Sequence, residues 1–299
     1  MARRPGATQD EMRRHNVSML LRLVHVHGAV SRAELTSLMG LSRSTIKALV
    51  AELAEAGLVV EEIPATGLGA GRPSYVVMPR GDTAYVLGAN VGVDSVAVAA
   101  VGLGGGVLAR REYRIKGLGA KPDVVAGRLA SELHRLQTQV PRGAWLVGVG
   151  VGVPGIVRRS DGHVEFAPNL TWRDVPFGGL LERRLGLDVP LRVANDGDVG
   201  AMAEHVRGAG RGVHTMLYIA GEVGIGGGLV VDGRMLHGAG GYAGEIGHMM
   251  VNPTGRGCRC GSVGCLETEI GEEALLRAAG KEPSEGRRGH QRVLAQALA

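Results

Sequence analysis

The chain has 299 residues, 44% of them hydrophobic and 21% charged, a composition that suits a soluble protein able to bury two or three cores. The opening MARRPGATQDEMRRHN lacks a signal-peptide run, and no later stretch offers the about 18 unbroken apolar residues of a membrane span, so a cytoplasmic location is expected. The whole net charge of +5 resides in the first 50 residues, where eight Lys or Arg stand against three Asp or Glu. That asymmetry points to a polyanionic partner for the N-terminal segment, the alternative being a solvated basic face.

Over residues 16–26 the apolar Val17, Leu20, Leu21 and Val24 recur at helical spacing and predict a first amphipathic helix. Ser31 and Glu34 have capping-box spacing and open a short helix that runs through Met39 and ends at Gly40. Ser42 is placed to cap a third helix, with Ile46, Leu49, Val50 and Leu53 inward and Gly57 just past its end. Helix, capped helix, glycine turn, capped helix is the helix-turn-helix order, in which the third helix enters the major groove. Arg32, Ser42, Arg43, Ser44, Thr45 and Lys47 are the candidate DNA contacts, because short hydroxyls and cations reach base edges and phosphates. A protein-interaction bundle is the other reading of three small helices. Residues 58–63 and 74–78 read as strands about a glycine-rich tip at 67–71, a wing in which Arg72 is placed to enter a neighbouring minor groove. Two Phe, five Tyr and two Trp are too few for a single-strand stacking platform, which leaves duplex DNA as the expected target.

From Thr83 the composition turns to Gly, Val and Ala. Residues 86–98 and 107–115 read as strand, glycine turn, strand; 121–137 reads as a helix, and 146–153 as a buried strand, together an α/β pattern. Gly150, Gly152 and Gly155 spell GxGxxG, but Pro154-Gly155 is a turn signal with no helix after it, so a dinucleotide fold is discounted. A short amphipathic helix is expected near 177–185. Asn195 and Asp196, at the end of a strand, offer an amide and a carboxylate to a polyhydroxyl ligand, with Asp196 able to act as a general base; ordinary Asx-turn chemistry is the alternative. The run 221–228, with Gly224, Gly226 and Gly227, either cradles a phosphate or forms a hairpin.

The stretch EIGHMMVNPTGRGCRCGSVGCLE, residues 245–267, holds all three cysteines of the chain. Cys258, Cys260 and Cys265 fall in a CxCGxxGC pattern with His248 ahead of them, and three thiolates plus one imidazole complete a tetrahedral zinc site. Crowding of this kind suits metal better than a disulfide framework.

Taken in order, GVPGIV, APNLTW, NDGDVGAMAE, GEVGIGGGLVVDGRMLHGAGGYAGEIGHM and CRCGSVGCLE resemble the ROK family of sugar kinases and transcriptional repressors. SRAELTSLMGLSRSTIKALV and GRP resemble the winged segment of its repressors, and the resemblance covers residues 13–275. It implies an α/β protein: a winged helix-turn-helix domain over 10–80, then an actin-like, ribonuclease H-type ROK domain. The first lobe would span 83–190 and the second 191–299, with the sugar between them. Position by position, it implies sugar contacts at Asn169, Asn195, Asp196, Glu245, His248 and Glu267, and ligation of zinc by His248, Cys258, Cys260 and Cys265. Four protein ligands leave no open position, so that zinc is expected to be structural.

The expected function is a sugar-responsive repressor, a homodimer on a duplex operator with a sugar or sugar-phosphate effector. The alternative is an ATP-dependent hexose kinase carrying a DNA-binding domain. Two departures from the family's kinases argue against phosphoryl transfer. Asn90-Val91-Gly92-Val93-Asp94 stands where a DxGGT-like motif supplies a carboxylate, and Val223 stands in place of a threonine, which leaves Gly224, Gly226 and Gly227 as a phosphate-loop remnant. Asp198 also occupies a position where the kinases often carry Asn. Family members normally continue well past the zinc loop, so the second lobe is expected to be incomplete at the C-terminus.

Overall fold

The computed structural model describes residues 8–63, 75–115, 121–221, 223–239 and 241–280. Two compact units divide the chain: one drawn from Met1–Leu87, Ala99–Arg110 and Leu136–Gly148, the other from Gly88–Val98, Arg111–Arg135 and Val149–Ala299. No helix among the described residues is long and apolar enough to cross a membrane.

The first unit begins with α1 (Gln9–His27), β1 (Val30–Ser31), α2 (Arg32–Met39), α3 (Arg43–Glu55), β2 (Val59–Glu62) and β3 (Val76–Pro79). Helix α1 starts at Gln9 instead of the expected Asn16. Thr8 Oγ1 accepts from the Glu11 amide at 3.3 Å and Glu11 Oε2 accepts from the Thr8 amide at 2.7 Å, a reciprocal cap. Apolar periodicity starting at Val17 misses these early turns because they face solvent and carry no core residue. Ser31 and Glu34 form the same box at α2, which closes on Gly40 at φ +64°, and Ser42 Oγ accepts from the Thr45 amide at 3.2 Å to start α3. The helices and the antiparallel sheet β1-β3-β2 close over Leu20, Val24, Leu35, Ile46, Val50 and Val77, all fully buried. Within the same unit, His25 Nδ1 accepts from the Gly104 amide at 3.0 Å.

The chain continues as β4 (Ala84–Val91), β5 (Ser95–Gly102), β6 (Val107–Arg114), α4 (Pro122–Gln137), β7 (Trp145–Val153), β8 (Ile156–Arg158), β9 (His163–Ala167) and β10 (Trp172–Val175). There follow α5 (Phe177–Leu185), β11 (Leu191–Asn195), α6 (Asp196–Arg207), β12 (Met216–Gly221), β13 (Ile225–Val231), β14 (Arg234–Met235), α7 (Leu266–Ile270) and α8 (Glu272–Ala278). The largest sheet has the order β11-β7-β4-β5-β6, and β8–β10 and β12–β14 form two smaller antiparallel sheets. The single strand expected over 86–98 is two strands. The Gly92 amide donates to the Ser95 carbonyl at 2.8 Å and turns the chain within an apolar run that hides the break. Strand β11 runs parallel to β7, from Leu191 opposite Val149 to Asn195 opposite Val153. Strand β8, not a helix, follows Gly155, in keeping with the discounted dinucleotide reading.

Candidate functional site

A cavity of about 240 Å³ lies in the second unit. Its walls are Asn90 and Val93 near the end of β4, Pro154-Gly155 after β7, Asn169 in a 3-10 turn, the start of α6, the β12–β13 turn, and Glu245, His248 and Glu267. All six side chains expected to touch a sugar therefore line one concavity: Asn169, Asn195, Asp196, Glu245, His248 and Glu267.

Their backgrounds differ. Asn195 ends β11 and caps α6: its Oδ1 accepts from the Asp198 amide at 3.0 Å, and its Nδ2 donates to the Gly155 carbonyl at 2.8 Å. Asp196 opens α6, with Oδ1 accepting from the Gly197 amide at 2.9 Å. Helix α6 lies hard against β13. A Cβ on Gly197 would come 2.4 Å from the Gly227 carbonyl oxygen, and one on Gly228 would come 2.6 Å from the Ala201 Cβ. Gly226 and Gly227 thus stand inside a paired strand, opposite Ala220 and Ile219, while Gly224 lies in the turn before it. At that turn the Ile225 amide donates to Glu267 Oε2 at 3.0 Å. The Asn90 amide also borders the start of α6, since a Cβ on Gly152 would lie 2.8 Å from Asn90 Oδ1 and 3.5 Å from the Asp196 Cα.

Burial raises the Glu245 carboxyl above the ordinary range; His248 opposes the shift, while Asp198 and Glu267 add to it. Asp198 is likewise raised by burial, with His237 and Arg159 pulling the other way. His237 Nδ1 stands 3.0 Å from Asp198 Oδ2 although the two are 39 residues apart, a pairing that no local pattern announces.

The four ligands expected at the metal come together. His248 Nδ1 is 3.6 Å from Cys258 Sγ, Cys260 Sγ is 3.7 Å from Cys265 Sγ, and the four ligand atoms all lie within 4.8 Å of one another. A tetrahedral ion with metal–sulfur bonds of about 2.3 Å needs sulfur–sulfur separations of about 3.8 Å, so the donor set fits a metal ion. Burial pushes the metal-free Cys258 thiol up to about 12 and also raises that of Cys265, so without a cation the cluster favours neutral thiols. Backbone bonds shape the loop: the Cys258 amide donates to the Ser262 carbonyl at 2.7 Å, and the Gly264 amide to the Arg256 carbonyl at 2.7 Å. Gly264 sits at φ +64°, and a Cβ there would lie 1.5 Å from the Asn252 carbonyl oxygen, so only glycine fits.

Of the residues expected at DNA, Arg43, Ser44 and Lys47 are exposed on the first turns of α3 and Thr45 is half-buried. The Ser42 hydroxyl is occupied at the helix cap and lies 2.8 Å from both Ser44 Oγ and Thr45 Oγ1. Arg32 turns to β2, where its guanidinium pairs through two nitrogens with Glu61 and lies 4.7 Å from the Tyr75 ring centroid. Arg72 lies outside the described residues.

The xylose repressor of Caldicellulosiruptor bescii is 30% identical over 274 residues, covering 91% of this chain and 67% of its own length. The crystal structure of a ROK family transcriptional regulator, a homologue of the Escherichia coli MLC protein, is similar with a TM-score of 0.68 and 28% identity, covering 93% of this chain and 69% of that one. A ROK family glucokinase from Streptomyces griseus, solved with glucose and AMPPNP, gives a TM-score of 0.57 and 28% identity over 69% of this chain and 62% of the glucokinase. The chain spans 65% to 70% of the length of the xylose-repressor relatives it matches. The ROK family match itself extends over residues 86–296, most of the sequence, and the chain belongs to the ROK family.

Proposed function

We propose that the protein is a sugar-responsive transcriptional repressor, binding a duplex operator through a winged helix-turn-helix over residues 10–80 and a sugar through the cavity. One observation carries the reading: Asn169, Asp196, Glu245, His248 and Glu267 converge on a single small cavity bordered by the metal loop. Amide and carboxylate groups gathered on one concavity suit a polyhydroxyl ligand. The xylose-repressor relatives support both the repressor role and the sugar class. Three thiolates and an imidazole favour zinc among divalent ions, in a structural role. The ROK region is read as lobes over 83–190 and 191–299, and two copies of the chain would place two α3 helices on a near-palindromic site. The sugar acts by binding one conformation of that dimer better than the other.

Fluorescence anisotropy on the DNA upstream of the gene is the direct test. Sequence-specific binding is expected, and one sugar of a pentose and hexose panel should change it. The double substitution Arg43→Ala and Lys47→Ala should weaken operator binding by about 10- to 100-fold and flatten the salt dependence by roughly one unit for each phosphate no longer neutralised. Weak binding indifferent to both sequence and sugar would sink the proposal.

The kinase reading draws support from Asp196 on the cavity wall and from similarity to the glucokinase. Against it, the residues at the two phosphate positions are an amide, Asn90, and an apolar side chain, Val223, both on the same wall. Phosphoryl transfer depends on charge neutralisation that these groups do not offer. A coupled assay with ATP, magnesium and the same panel should show no turnover; turnover abolished by Asp196→Asn would establish the enzyme instead.

A further inference from the structure

Arg259 lies between two of the metal-cluster cysteines, Cys258 and Cys260, yet its guanidinium bonds to residues outside the cluster. Nη1 donates to Asn169 Oδ1 at 3.1 Å, and Nη2 donates to Glu273 Oε1 on α8 at 2.6 Å. Neither bond is local, since Asn169 is 90 residues away along the chain. A guanidinium has donors and no acceptor, so Asn169 must turn its oxygen toward Arg259 and its NH₂ the other way. That NH₂ faces Gly224, where a Cβ would sit 3.2 Å from Asn169 Nδ2 and 1.9 Å from Glu267 Oε2.

We infer that Arg259 is a positioning residue for the ligand site, one that holds Asn169 as a hydrogen-bond donor toward the cavity. An unrestrained carboxamide can present either its oxygen or its nitrogen with little change of shape, so without Arg259 the polarity of this corner is undetermined. With Arg259 in place, the corner offers a donor from Asn169 beside an acceptor from Glu267. A hydroxyl matches that pair because it accepts from one and donates to the other; a hydrogen or an ether oxygen at the same ligand position does not. The inference deepens the proposed sugar site and rests on that reading. It also gives the metal loop a second duty, because the same turn that carries two thiols carries the side chain that sets the donor.

The test is a double-mutant cycle on the full zinc-loaded chain, using Arg259→Met, Arg259→Lys, Asn169→Ala and the Met/Ala double variant. Affinity is read by isothermal titration against free pentoses and hexoses including D-xylose and D-glucose, with metal content and melting temperature measured for each variant. Arg259→Met should weaken the bound sugar by about tenfold while keeping its metal, and Arg259→Lys, which retains a donor for Asn169, should recover most of the loss. Asn169→Ala should weaken binding to a similar degree, and Arg259→Met should then add nothing. Unchanged affinity in Arg259→Met overturns the inference. So does an equal loss in the Asn169→Ala background, or a loss that tracks metal content, because each marks a purely structural role. A wild-type chain that binds no sugar of the panel would overturn the sugar-site reading itself and the inference with it, an outcome distinct from the others because it requires no variant.

Discussion

Replacing Cys265 with serine is expected to empty the metal site and erase the response to sugar while leaving operator binding in place. Cys265 is fully buried, precedes the first turn of α7 as its N-cap, and faces Met250 in an isolated bridge. The loop around it has little core of its own: Met249, Met250, Val251 and Val263 are all exposed. A metal held by the cluster would supply the ordering energy that packing does not, and structural zinc in small peptides contributes about 10–16 kcal/mol at neutral pH. A serine hydroxyl is a poor substitute for a thiolate ligand. Without the ion α7 loses its anchor, and with it goes Glu267, whose carboxylate accepts from the Ile225 amide in the cavity wall. Metal analysis should fall from one zinc per chain to none, and sugar affinity should drop by at least about a hundredfold. Operator binding should persist, now deaf to sugar, because the candidate DNA contacts lie in the other unit. A Cys265→Ser chain that retained its zinc and its sugar-induced shift would refute this account of the loop. Because the metal-free thiols are raised by burial, loading should also release protons and weaken as the pH falls.

The second large effect belongs to Gly197→Ala. The position is helical and asks for no unusual backbone angle, so on propensity alone alanine would stabilise α6. Packing reverses the sign. A Cβ there meets the Gly227 carbonyl oxygen at 2.4 Å, the Gly227 amide nitrogen at 2.9 Å and Asn195 Oδ1 at 3.0 Å; the first two are backbone and cannot swing aside. Helix α6 must move off β13, and Asn195 and Asp196 at its start move with it. Overpacking of this kind costs about 1–3 kcal/mol, which would lower the melting temperature by roughly 2–12 °C, and the sugar site should lose more than the fold does. Gly226→Ala is the control: it adjoins Gly227 in β13, the strand that Gly197 packs against, but a Cβ there meets nothing within 4 Å. Equal melting temperatures for the two variants would contradict the packing account.

These cases also mark what can be read from the chain before its fold is known. The caps at Ser31 and Ser42 and the inward face of α3 follow from spacing, because helices are written locally. The candidate metal cluster is legible for the same reason: His248, Cys258, Cys260 and Cys265 all fall within one loop. Helix α1 is harder, since its first turns hold a capping box but no core residue, and periodicity alone begins too late. The turn at Gly92 is masked by valines on both sides that continue the strand pattern. Least legible are pairings between distant residues. Arg32 sits where a phosphate contact belongs, but Glu61 on β2 engages it, and only the sheet brings the two together. His237 on Asp198 and Arg259 on Asn169 are of the same kind, and each changes the chemistry assigned to a cavity residue or its neighbour.

Asn195 carries a consequence for any attempt to redirect the proposed site to another ligand. Both polar ends of its side chain are committed to the scaffold, one to the cap of α6 and one to the Gly155 carbonyl, so substitution there breaks the frame before it alters selectivity. The adjustable positions are the apolar wall residues without such commitments, Val93, Val199 and Val223. A mutational library confined to those three sites should yield variants with shifted effector preference and intact folding. One that includes Asn195 should yield mainly insoluble protein.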